Sequence, residues 1–172
     1  AAAAIGVMSA GIAHAKTDLL VYTAVEADEL KGFKQAFEED YPDINIKWVR
    51  DSTGIITSKL LAEKDNPKAD IVWGVAATSL LLLSTHDYFQ GYAPKGVEKL
   101  DKLYYDTKNP KPLWVGQRAW IASICFNTVE GEKHGLPVPQ TWDDLTKPVY
   151  KGHVIMPNPN SSGTGFLDVS SW

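Results

Sequence analysis

Residues 158–166, NPNSSGTGF, gather two serines, a threonine and two glycines behind a proline. Hydroxyls and unhindered backbone N–H groups are what a chain uses to hold an oxyanion, because a helix N-terminus presents donors without intrahelical partners. Glycine lets that backbone come close to a ligand. The same composition builds ordinary turns and linkers, so on this stretch alone a turn and an anion cradle both stay open. Three other places carry similar chemistry: Thr23 with Ala24, Ser52 with Thr53 and Gly54, and the run Gly74, Val75, Ala76, Ala77. Each follows an apolar run and precedes a helical pattern. In parallel sheets, ligands sit outside the carboxyl ends of the strands. Donor-rich loops at several such ends predict a site offering N–H and O–H groups to an anion, with Thr23, Ser52, Thr53, Gly54, Ala77, Ser161, Ser162, Gly163, Thr164 and Gly165 as its candidates.

The elements that must position these residues alternate. DLLVYTA (18–24) reads as a buried strand. Leu30, Phe33 and Phe37 then recur at helical spacing, with acidic residues in the first turn and Pro42 marking the end. INIKWV alternates Ile44, Ile46 and Trp48 with strand period. A helical run carries Ile55, Ile56, Leu60 and Leu61, ADIVWGV (69–75) is another strand, and AATSLLLLST reads as a helix burying most of its surface. Strand and helix in strict alternation predict a parallel α/β sheet. Residues 91–114, rich in Pro, Lys and Gly, read as a surface excursion. RAWIASICFNT (118–128) carries a long strand signal. A loop follows with a short helix capped by Thr141, and HVIMPNP reads as a last strand.

Other reactive side chains read as structural. A net charge of -4 over 172 residues speaks against a nucleic-acid binder, which needs a basic stripe. A guanidinium clamp would have to use Arg50 or Arg118, and a structural ion pair is at least as good a reading of Arg118. Cys125 sits in an apolar run and reads as an inert buried thiol. His86, His134 and His153 lack metal-ligand spacing, so neither metal nor cofactor is expected. Asp143 and Asp144 read as helix-start charges. Trp73 and Tyr22 read as core aromatics, with a place in a cleft wall as the alternative. Tyr104 and Tyr105 are adjacent, so on an extended chain they point opposite ways and do not readily share one metal.

Residues 1–15, AAAAIGVMSAGIAHA, are small, apolar and uncharged, and end in Ala-His-Ala before Lys16. This reads as the h-region and cleavage site of a secretory signal lacking its Met and basic n-region. It is too short to span a bilayer. The mature chain is expected to start near Lys16 in an exported compartment.

Taken together, LLVYTAVEADELKGFKQAFEEDYPDINIKWV, DSTGIITSKLLAE, ADIVWGVAATSLLLL, RAWIASICFNT and TWDDLTKPVYKGHVIMPNPNSSGTGFLDVSSW resemble the periplasmic solute-binding proteins of ABC importers. The likeness is to the two-lobed type II class that includes ferric-iron and 2-aminoethylphosphonate binders, some relatives of which take sugar phosphates. It runs over 16–172. The resemblance implies a protein about twice this length. It implies lobe one in 16–119, a hinge-crossing strand at 120–128, and the start of a truncated lobe two at 129–172. It also implies a periplasmic monomer that is not an enzyme, binds a small anionic ligand between its lobes, and docks on a membrane permease. A phosphonate or phosphate ester is the leading ligand and ferric iron or another anion chelate the alternative. A hydrolase on the same fold, with Ser162 or Cys125 as nucleophile, would need a base that no nearby residue supplies.

Overall fold

The protein is described by a computed structural model over residues 15–171. The secretory reading of the N-terminus falls on residues 1–15, and so lies almost wholly outside this range.

Three parallel strands form one sheet. Strand β1 (Thr17–Thr23) is central, with β2 (Ile44–Arg50) on one side and β3 (Ile71–Trp73) on the other. Helices α1 (Ala27–Asp40), α2 (Thr53–Ala62) and α3 (Ala77–Ser84) follow the strands in turn. From β1 the chain first goes to one side and then reappears on the other. The chain's switch of side therefore falls between β1 and β3, and it is at the carboxyl end of such a point that these sheets place ligands.

Alternation along the strands supplies two apolar faces, as it must when both sides are covered. One face carries Leu20, Tyr22, Val49 and Val72, and packs on the fully buried Ile56 and Leu60 of α2 and Leu83 of α3. Each such aliphatic side chain contributes about 1.5–3 kcal/mol on burial. The Tyr22 hydroxyl leaves this core to donate to Glu63 (3.0 Å), which also accepts from Lys59 (2.7 Å). The second face carries Leu19, Val21, Ile46, Trp48, Ile71 and Trp73. Trp48 stacks on Trp73 at 5.5 Å, and Phe33 of α1 meets Trp73 edge-on at 4.7 Å. Here α1 covers only part of the sheet, and an apolar hollow of about 250 Å³ remains.

The excursion after α3 is irregular, as expected, with short 3-10 turns at Val97–Lys99 and Lys102–Tyr104 and one antiparallel bridge from Tyr105 to Val115. Asp106 organises it. Its carboxylate is buried and accepts from the Asn109 side chain and from the backbone N–H groups of Lys108 and Leu113. Burial alone would raise its pKa, but these bonds outweigh burial and hold it below the ordinary value.

Four expectations are corrected. Residues 120–128 do not form a strand, and neither does HVIMPNP; Ile121 is 85% and Ile155 94% exposed. A strand needs a neighbour to take its backbone bonds, and among the described residues neither stretch pairs with another segment in a ladder or bridge. For the same reason Cys125 is exposed, not buried. Helix α3 buries Leu83 completely but leaves Leu81 and Leu82 about half exposed, because it lies against α2 on one side only. The remaining elements are α4 (Thr128–His134), a 3-10 turn at Trp142–Thr146, another at Pro148–Tyr150, and α5 (Gly163–Ser171). The middle turn starts as the sequence indicates. Thr141 accepts from the Asp144 N–H, and Asp144 reaches back to the Thr141 N–H.

Candidate functional site

Helix α2 begins at Thr53 with Ser52 as its N-cap residue, yet the Ser52 side chain makes no capping bond. Its own N–H donates to Asp51 Oδ1 at 2.7 Å. Helix α3 likewise begins without a side-chain cap, because Ala76 has no side-chain oxygen to offer. The first N–H groups of a helix have no intrahelical acceptor, so both starts hold donors for something else.

Helix α5 begins differently. Ser162 Oγ accepts the Gly165 N–H at 3.2 Å and caps the helix. The turn before it is built by Asn158. The carbonyl of Asn158 accepts the N–H groups of Ser161 (3.1 Å) and Ser162 (2.9 Å), and its side chain accepts Asn160 N–H (2.9 Å). The turn thus sets where α5 starts and how its first residues lie.

These three helix starts meet. A Cβ on Gly163 would lie 2.9 Å from Thr53 Oγ1 and 3.3 Å from the Ala76 methyl. The loop before α5 also touches α2 directly, with Gly54 N–H donating to Ser161 C=O at 2.9 Å. Residues more than 100 positions apart therefore close on one spot at the carboxyl edge of the sheet. Thr53 is nearly buried there, and its carbonyl is held by Thr57 Oγ1 at 2.7 Å.

Of the candidates, the structure brings Thr53, Gly54, Ser161 and Gly163 into contact here, and Ser52, Ala77, Ser162 and Thr164 are their neighbours along the chain. Gly165 lies in the first turn of α5 but packs on the backbone of Pro157, away from it. Thr23 is fully buried. Its Oγ1 accepts Val25 N–H (3.0 Å) and its carbonyl accepts Asp51 N–H (3.1 Å), so it clamps two of the loops from behind. Both arginines are engaged by glutamates. Arg118 pairs with Glu29 through both terminal nitrogens, and Arg50 donates to Glu26 at 2.8 Å and to the Val25 carbonyl. The donors at the junction are backbone N–H groups and hydroxyls. The sequence reading placed Ala76, Asn158 and Asn160 in the candidate loops without counting them among the site residues; Asn-Pro-Asn is a turn signal that could have assigned the last two their role.

Other reactive groups lie elsewhere. His134 and His153 sit with rings 4.9 Å apart, a pairing their sequence separation did not suggest. Among the described residues no group of three or more His, Cys, Asp or Glu could hold a metal ion. Tyr22 belongs to the core and Trp73 to the second sheet face, so neither walls the junction.

A parallel α/β unit with donor-rich helix starts collected at one sheet edge defines the class, and the comparisons specify it. The chain matches the family described as bacterial extracellular solute-binding protein over residues 66–167. It belongs to that family. An uncharacterized protein of Haemophilus influenzae is 28% identical over 171 residues, covering 98% of this chain and 49% of its own length. A probable ABC transporter periplasmic-binding protein, y4fP of Sinorhizobium fredii, is 30% identical over 111 residues, covering 64% of this chain and 30% of its own. Two solved structures share the fold. The periplasmic binding protein P5PA has TM-score 0.69 and 24% identity, over 88% of this chain and 48% of that one. The periplasmic binding protein AfuA of Actinobacillus pleuropneumoniae, solved with exogenous fructose-6-phosphate bound, has TM-score 0.69 and 25% identity, over 86% and 47%. The chain therefore spans half or less of the length of these proteins.

Proposed function

We propose that the full-length protein is the extracytoplasmic substrate-binding component of an ABC importer, and that it captures a small phosphate ester or phosphonate. The observation that carries this reading is the convergence of the α2, α3 and α5 N-termini at Gly163, Thr53 and Ala76. Three helix starts aimed at one point supply a partial positive charge and several N–H donors, which suits a dianionic head. The Thr53 and Thr164 hydroxyls add charge-assisted bonds. Engagement of both arginines by glutamates favours a site that works without a guanidinium. The fructose-6-phosphate in AfuA supports a phosphorylated ligand for this chain too. Residues 16–119 form most of one lobe and 129–172 begin the other. The ligand lies between them, and the closed protein docks on a membrane permease.

The test is equilibrium binding of a hexose phosphate and of 2-aminoethylphosphonate to the mature full-length protein and its Thr53→Val and Thr164→Val variants. Loss of a charge-assisted bond weakens affinity by about tenfold or more per substitution. Undiminished binding in both variants removes the junction from the site.

A further inference from the structure

Within that reading, we infer that Gly54 is a positioning residue for closure rather than a ligand donor: its missing side chain lets the α2 start and the 158–163 turn meet backbone to backbone. Its N–H is taken by Ser161 C=O at 2.9 Å. A Cβ at this position would lie 2.3 Å from the Asn160 carbonyl oxygen and 2.8 Å from Ser161 Cα. Both obstacles are backbone, held in place by the Asn158 turn, so they do not yield as a flexible side chain would. Gly163 makes the matching approach from the other side, where a Cβ would meet Thr53 Oγ1 at 2.9 Å. Two glycines thus set how closely the halves of the site approach. The anion is left to the N–H groups that open α3 and α5, to that of Thr53, and to the Thr53 and Thr164 hydroxyls.

A methyl at position 54 has a defined consequence. It holds the 158–163 turn off α2, so donors from the two sides no longer reach one phosphoryl group together. It does not damage the fold, because alanine is a better helix residue than glycine. The effect should appear as faster release of ligand, since closure traps the ligand after it has bound.

The experiment compares the full-length protein with its Gly54→Ala variant by two readouts, with Gly163 and Thr53 left native. The first needs no ligand: hydrogen exchange of the amide at position 54 should quicken by about tenfold in Gly54→Ala, because that N–H loses the Ser161 carbonyl, with the thermal midpoint unchanged. Equal exchange in the two proteins overturns the inference. The second is release of a hexose phosphate, which should be about tenfold faster from Gly54→Ala. If release and affinity match the parent, the closure role falls and the function stands. If exchange behaves as expected but neither protein binds a phosphorylated compound, the function falls and the contact stands.

Discussion

Asp106 and Arg118 show how much the partner decides what a charged side chain is worth. Asp106 is buried and collects three donors, so truncation strands those donors and undoes the excursion. Asp106→Ala is expected to cost about 1–3 kcal/mol in urea unfolding. Arg118 faces solvent beside Glu29, in a pair that water and salt screen. Arg118→Ala should leave both the unfolding midpoint and phosphate affinity within experimental scatter; a large loss of affinity would restore it as a ligand residue. At this scale the sequence was partly legible. Thr53, Gly54 and Ser162 stand out because hydroxyls and glycine ahead of a helical pattern have a local reason to be there. An ion pair at Arg118 was legible, but its partner Glu29, the engagement of Arg50 by Glu26, and the meeting of His134 with His153 were not. They depend on turns that bring distant residues together, such as the Tyr150 hydroxyl bonding to the Pro137 carbonyl at 2.7 Å.

Elements were legible where their stabilisation is local or their periodicity unambiguous. Helix α2 shows this, with Ile56 and Leu60 a turn apart and both fully buried. Leu60→Ala is expected to cost about 2–5 kcal/mol, whereas Leu82→Ala on the open side of α3 costs less than about 1 kcal/mol; thermal unfolding of both variants checks the asymmetry. The strand reading of 120–128 failed for a physical reason. Residues 121–126 alternate between exposed and half-buried, so the period is real, but a ladder requires a second chain segment that periodicity does not reveal. Helix α3 misled in the opposite sense. Its run of four leucines marks apolar character without saying which of them find a partner.

At the scale of the whole molecule, charge and apolar surface set the behaviour. Glu29, Glu38, Glu63, Asp106 and Asp144 all have pKa values below their ordinary ones. Arg118 is the main cause for Glu29, the Ile46 N–H for Glu38, Lys59 for Glu63 and Lys147 for Asp144. A carboxylate depressed in the folded state stabilises above its unfolded pKa, and that stability is lost as pH falls through the folded value. Stability should therefore hold from neutrality down to the ordinary carboxylate range near 4 and decline below it. Tyr22 behaves in the opposite way. Burial and Glu63 raise its pKa, so its contribution is present below about 10 and lost as pH rises further. A chemical-denaturation series across pH should show the acid decline; Tyr22→Phe should flatten the alkaline limb and, because the Tyr22 hydroxyl also helps hold Glu63 low, slightly blunt the acid one. The apolar face around Trp48 and Trp73 was legible as strand alternation, but how far α1 covers it was not.

The account stands or falls on whether the junction of α2, α3 and α5 recognises a phosphoryl group. The most direct measurement is a calorimetric titration of the mature full-length protein with a hexose phosphate, the same hexose without phosphate, 2-aminoethylphosphonate and ferric ion, side by side with Thr53→Val. Saturable binding of a phosphorus compound, absent for the bare hexose and weakened by Thr53→Val, is the predicted result. Binding of ferric ion alone, or of the hexose with and without phosphate equally, would contradict it.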